Sequence, residues 1–288
     1  MTDAAIAQPV QPVKAPDRRA WLRILLGGLV LYVVGVVILG VTSNPNLFPT
    51  VVMLGNLLVP VAYVAFFYQR RHLSDLGLPS VAAAFFWGGV LGTFAAALLE
   101  PIFIRRLDFA TAFLVGAIEE FAKMLGILVV ARRRRHDREI DGLILGAAAG
   151  MGFAALESTG YAFTAFLESI AQHQGALGPT VAITLLRGAL APVGHGTWTA
   201  LLASVLFREG MATNFRINRA VIGAFLLVVV LHGLWDGLPD IVEIGLPFGI
   251  SLPAGQTLVA IVSLVLLRRR WDESVATLDR PAPAASSS

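Results

Sequence analysis

An all-α, polytopic membrane protein is the fold class this sequence predicts, and three observations carry the prediction. Of 288 residues, 56% are hydrophobic and 14% charged, with a mean hydropathy of +0.74, whereas a soluble domain carries about 25% charged residues. Apolar windows of roughly 20 residues recur between positions 21 and 267, each long enough as a helix to cross a hydrocarbon layer about 30 Å thick. The basic residues gather on alternate loops between those windows, as the positive-inside rule requires.

The first window, residues 21–41, follows a polar stretch carrying Lys14, Arg18 and Arg19. It exceeds the roughly 7–15 residues of a signal-peptide core. It also runs into Thr42-Ser43-Asn44-Pro45 with no small-residue cleavage pattern, so it is expected to remain as a span. Further spans are expected at about 47–68, 81–100, 109–131, 140–167, 180–207, 219–237 and 246–267, giving a bundle of eight. All should be helical, because lipid offers no partner to an unpaired backbone group. With the N-terminus in the cytoplasm, Arg70, Arg71, the run 132–135 with Arg138, then Arg208, Arg216, Arg219 and the run 268–270 all fall inside. Arg105 and Arg106 are left outside, beside Glu100, Asp108, Glu168, Asp236, Asp240 and Glu243. Both termini are therefore expected to be cytoplasmic. Residues 1–20 form an N-terminal tail, 21–267 one transmembrane domain, and 268–288 a disordered tail whose Pro-Ala-Pro-Ala-Ala-Ser-Ser-Ser end cannot bury a core.

The chain has no cysteine, which removes disulfides, thiolate nucleophiles and cysteine metal ligands. The net charge of +3 and pI near 9.7 do not predict a nucleic-acid partner, since the run 132–135 is best read as a cytoplasmic anchor. The partner that composition implies is the lipid bilayer.

Charges inside spans are costly, about 2.5–3.5 kcal/mol each on insertion scales, and those present are concentrated. Span four reads Glu119-Glu120-Phe121-Ala122-Lys123, and Lys123 is one of two lysines in the chain. Glu119 and Lys123 lie one turn apart on one face, with Glu120 beside them. The ammonium can hold one carboxylate ionised while the other is left as a general base; the alternative is a charge pair that locks helices together.

Span five places Phe153 and Glu157 on one face, above Gly142, Gly146 and Gly150 at four-residue spacing, a stripe suited to close helix packing. Span six carries Pro192-Val193-Gly194-His195-Gly196, where the proline removes a donor and the helix can open. Arg187 on the same span either snorkels or balances a carboxylate. Span seven holds His232 and Asp236 four apart, a spacing at which the carboxylate can orient the imidazole. Counted from the cytoplasmic ends at about 1.5 Å per residue, Glu119, His195 and His232 lie roughly 18–20 Å deep and Glu157 slightly deeper. Convergence into one polar site offsets the cost of four such residues better than four separate burials do.

Glu119-Glu120-Phe121-Ala122-Lys123, Phe153 to Glu157, and His232 to Asp236 resemble the EExxK, FxxxE and HxxxD motifs of the PrsW family of intramembrane proteases, in the family's order and over about residues 109–237. A similar superfamily of CAAX-processing and bacteriocin-immunity proteases shows EExxxR, FxxxH and HxxxN. The chain departs from that pattern at Lys123 and Glu157, which argues against a prenylated substrate. The resemblance implies peptide-bond hydrolysis within or beside the bacterial plasma membrane, typically of a membrane-bound regulator such as an anti-sigma factor. It implies Glu119 and Glu120 as catalytic glutamates, completed by Glu157 and His232, with His195 in a less constrained part of the match.

Two chemistries fit these residues. In one, Glu119 or Glu120 takes a proton from water and His232 or His195 donates to the oxyanion. In the other, Glu157, His195 and His232 hold Zn2+ with an open position and Glu119 is the base. Lys123, Phe153 and Asp236 support the site in both. A water channel reaching Glu157 is expected. The alternative class is a proton-coupled transporter using the Glu, Lys and His cluster as a relay, for which the sequence shows no two related halves.

Overall fold

The structure, a computed structural model, describes residues 19–70, 73–74, 76–132, 138–173, 175, 177–210, 216–238, 243–245 and 251–278. These form nine helices and one short hairpin: α1 (Ala20–Thr42), α2 (Phe48–Tyr68), α3 (Leu78–Phe103), α4 (Phe109–Ala131), α5 (Glu139–Ala171), α6 (Leu177–Leu190), α7 (His195–Glu209), α8 (Arg219–Gly237), β1 (Glu243–Gly245), β2 (Ser251–Pro253) and α9 (Ala254–Leu278). Six stretches among them are long and apolar enough to cross a membrane: α1, α2, α3, α5, the α6–α7 stretch Leu177–Glu209, and α8. Helix α4 has a comparable length, 23 residues, but carries Glu119, Glu120 and Lys123.

The structure departs from the expected spans at three places. The sixth span is two helices, because residues 191–194 turn after Leu190; Pro192 has no N–H to give, and its carbonyl accepts from the Thr197 hydroxyl at 2.7 Å. The last span does not begin at 246. Residues 243–245 instead pair antiparallel with 251–253, Ile244 opposite Leu252, and the helix starts at Ala254. Nor are residues 268–278 a disordered tail, since α9 runs on through Leu278, with Trp271 edge-on to Phe67 at 5.4 Å and Arg270 paired with Glu139 at 3.2 Å. Residues 1–18, Arg71, 133–135, Asp240 and 279–288 lie outside the described residues.

Helix α5 is the axis of the bundle, packed by α7, α3, α2 and α6. Its glycine stripe explains the closeness of α7. A Cβ on Gly142 would strike the backbone at Ala203, one on Gly146 the backbone at Thr199, and one on Gly150 the carbonyl of His195. Small residues let two backbones approach where side chains would hold them apart. Gly116 does the same for α4 and α8, lying against His232 and the Val229 carbonyl. Helix α3 packs on α4 and α5, and α1 sits at the rim on α2. The start of α4 is fixed by its own sequence, as the Asp108 carboxylate accepts from the Thr111 N–H at 2.9 Å and the Thr111 hydroxyl accepts from the Asp108 N–H at 2.8 Å.

Candidate active site

Four helices converge at mid-bundle. From α4, Lys123 Nζ donates to Glu119 Oε2 at 3.0 Å and to Glu120 Oε1 at 2.8 Å, a consequence of i,i+4 and i,i+3 spacing. The ammonium also lies 3.8 Å above the Phe153 ring and 2.9 Å from His195 Nδ1. Phe153 and Lys123 are both fully buried. An ammonium in apolar surroundings is tolerable only with such a complete set of acceptors.

The two histidines are held differently. His195 opens α7 just after the break, with Nε2 at 3.1 Å from Glu157 Oε2. Glu157 accepts from that nitrogen, and Lys123 donates toward the other, so the Nδ1 lone pair is met by the ammonium. His232 lies inside the continuous helix α8 and faces carboxylates on both sides: Nδ1 is 3.2 Å from Glu120 Oε1, and Nε2 is 3.3 Å from Asp236 Oδ2 and 3.5 Å from Glu119 Oε2. The rings of His195 and His232 meet at 5.1 Å, and Trp198 packs against both, 4.6 Å from His232 and 5.5 Å from His195. Trp198 is itself pinned by donation from Nε1 to Ser263 at 2.9 Å, which ties α7 to α9.

Every residue singled out from the sequence reaches this cluster, but not always in the expected arrangement. The metal-capable set is Glu119, His195 and His232, whose ligand atoms lie within 4.8 Å of one another, and not Glu157 with the two histidines. Glu157 is taken up by Arg187, 2.5 Å away, and by His195. Arg187 is therefore a carboxylate partner and does not snorkel; it also donates to Ser158 at 3.2 Å and stacks on Tyr161 at 3.9 Å. Thr199, unnoticed in the sequence, donates to Glu120 Oε2 at 2.8 Å; its position four residues after His195 was the available signal.

A cavity of about 500 Å³ reaches the cluster from the α3–α4 turn, with Glu119, Glu157, Tyr161, Arg187, His195, Trp235 and Asp236 in its wall. It also includes Glu100, which the sequence placed in a loop and the structure places in α3. Glu120 does not line it, so of the two adjacent glutamates Glu119 is the one in reach of a substrate.

Carboxylates and imidazoles collected beside a cavity inside a membrane bundle fit a class, the membrane-embedded hydrolases. Similarity to known proteins narrows it. The sequence profile of the PrsW family of intramembrane metalloproteases matches residues 77–268, a stretch that contains every helix of the site, and the chain belongs to that family. Two relatives named Protease PrsW are similar to it: one from Halalkalibacterium halodurans, 28% identical over 185 residues, covering 62% of this chain and 78% of the relative. The other, from Oceanobacillus iheyensis, is 23% identical over 177 residues, covering 61% and 72%. No solved structure matches. The chain is thus a multi-pass integral membrane protein and a protease.

Proposed function

We propose that this protease hydrolyses a peptide bond in or beside the transmembrane segment of a membrane-anchored regulator, of the anti-sigma-factor kind, in the bacterial plasma membrane with both termini cytoplasmic. One observation carries the reading: Glu119 lines the cavity while standing within ligand distance of both histidines. Water entering the cavity gives a proton to Glu119 as its oxygen bonds to the scissile carbonyl carbon. His195, which lines the same cavity, donates to the oxyanion that forms, and His232, buried behind Glu119, stands 3.5 Å from that carboxylate. As the C–N bond breaks, the proton held by Glu119 passes to the leaving amine, which balances the reaction. Glu120, held by Lys123, Thr199 and His232, positions the histidine and touches no substrate.

The donor set also fits a metal. Two imidazoles and a carboxylate with a cavity alongside are the ligands of catalytic zinc sites, and His195 Nδ1, whose lone pair meets the Lys123 ammonium at 2.9 Å, would exchange that partner for the metal while Glu157 keeps Nε2. Zn2+ would be held by Glu119, His195 and His232, and would supply polarisation of the carbonyl and acidification of water. In that arrangement Glu157, with Arg187 behind it, orients His195.

The test compares protein N-termini across the membrane proteome of cells carrying the intact chain and cells carrying Glu119→Gln. Termini in or near transmembrane segments should disappear in the variant, with reporter cleavage falling about 10²–10⁴-fold. Identical profiles from two folded, equally expressed proteins would sink the assignment of Glu119. Zinc content of the purified proteins separates the two uses of the site, since loss of a ligand lowers it and loss of a base alone does not.

A further inference from the structure

Four carboxylates line the cavity: Glu100, Glu119, Glu157 and Asp236. Three of them are answered from within the protein, Glu119 by Lys123, Glu157 by Arg187 and Asp236 by His232. Glu100 is not. Among the described residues its Oε1 is buried and has no hydrogen-bond partner, and Arg105 and Arg106, on the turn that follows α3, stay exposed on the rim of the same cavity. A buried carboxylate oxygen without a donor is unfavourable, and a site that leaves one open discriminates strongly for a ligand that fills it. The surroundings restrict what can fill it. Ala96, Ala97 and Val115 line the same cavity and suit a methylene stem, while the carboxylate asks for a charged donor at its end.

Resting on the protease reading above, we infer that Glu100 is a specificity-determining residue that receives a lysine or arginine side chain of the substrate segment held in the cavity. A backbone N–H would satisfy the hydrogen bond and leave the charge unanswered, whereas an ammonium or guanidinium satisfies both. The protease therefore prefers substrates with a basic residue at a fixed distance from the scissile bond, in a stretch of sequence where most membrane segments are apolar.

The experiment maps N-termini in cells carrying the intact chain, Glu119→Gln, Glu100→Gln or Glu100→Arg. Termini that depend on Glu119 should share Lys or Arg at one offset from the cut. Glu100→Gln, which keeps the size of the side chain, should reduce cleavage at those sites by about tenfold relative to sites without the basic residue. Reporter proteins built on a mapped site, with its Lys changed to Glu, should be cleaved better by Glu100→Arg than by the intact chain. Glu119-dependent termini with no basic residue at a shared offset would overturn the inference and leave the protease reading standing, as would an unchanged ratio in Glu100→Gln. A complete lack of Glu119-dependent termini would overturn the catalytic assignment and this inference with it.

Discussion

The site has two walls, and they are built on opposite principles. On the α4–α8 side, Glu119, Glu120, Lys123 and His232 are buried, and each meets its partners within the cluster. On the α5–α7 side, Glu157, Arg187 and His195 keep 14–25% of their side-chain surface and gather around a helix break. The first wall is a closed charge network whose members cannot be removed singly. The second holds one imidazole through a carboxylate and a guanidinium that line the cavity. The proposed reaction uses both, since a reacting carboxylate has to be fixed while the cavity beside it admits a peptide.

The contrast breaks most visibly at Lys123. Lys123→Met removes the cation that Glu119 and Glu120 share and leaves two buried carboxylates with only His232 and the Thr199 hydroxyl to answer them, which costs about 3–5 kcal/mol. Unfolding in a detergent titration should show a large loss of stability together with loss of cleavage. A Lys123→Met protein as stable as the parent would mean that the α4 charges are not a closed network.

Across the site, Arg187→Ala should separate activity from stability. Arg187 holds Glu157, and Glu157 holds His195 Nε2. Its loss should lower reporter cleavage about 10–100-fold, the usual effect of losing a group that orients a catalytic ligand, with a much smaller change in stability than Lys123→Met. Arg187→Lys keeps the charge but not the flat paired geometry, so it should restore part of the activity. An Arg187→Ala protein that unfolds as readily as Lys123→Met would erase the distinction between the walls.

The third effect concerns how the second wall reaches the network. Gly150 is where α5 passes the His195 carbonyl, so Gly150→Ala forces α7 outward and carries His195 with it. Overpacking of this kind costs about 1–3 kcal/mol, and cleavage should fall by more than stability alone explains. Gly223→Ala on α8, where a Cβ meets nothing among the described residues, is the matched control and should be silent in both measurements.

Much of this arrangement was legible in the residues, and what was not has a physical reason. Helical period and rise gave the face and depth of Glu119, Glu157, His195 and His232, and cost in lipid argued that they converge. Depth does not give rotation. Whether Glu119 or Glu157 joins the two histidines depends on how α4 and α5 turn about their axes, and no spacing within one helix reports that. Arg187 could be read either as snorkelling or as balancing a carboxylate, and the sequence could not say that Glu157 would be its partner. Glu100 stood at the expected end of a span, where an acidic residue is ordinary, and only the cavity shows it inside. The break at Pro192 was visible, whereas the pairing of 243–245 with 251–253 was hidden because Ile244 and Leu252 are as apolar as any span.

The smallest predicted effect lies outside both walls, at the entrance to α4. The Thr111 backbone N–H that Asp108 accepts from holds its carboxyl below the usual range, with the Thr111 hydroxyl adding to the effect. A carboxyl whose value is depressed on folding stabilises the fold above its unfolded value, near pH 4, and that contribution is lost as pH falls through the lower, folded value. Asp108→Ala should therefore be slightly less stable than the parent at neutral pH, and the gap should close as the solution is acidified below about pH 4. Asp108→Asn keeps an acceptor for the cap but has no titration, so its stability should fall less steeply on acidification. Asp108 sits at the head of the helix that carries Glu119 and lines the same end of the bundle as the cavity. If the cap only starts the helix, cleavage by Asp108→Asn will match the parent across the neutral range; a loss of cleavage without loss of stability would show that the turn between α3 and α4 takes part in admitting substrate.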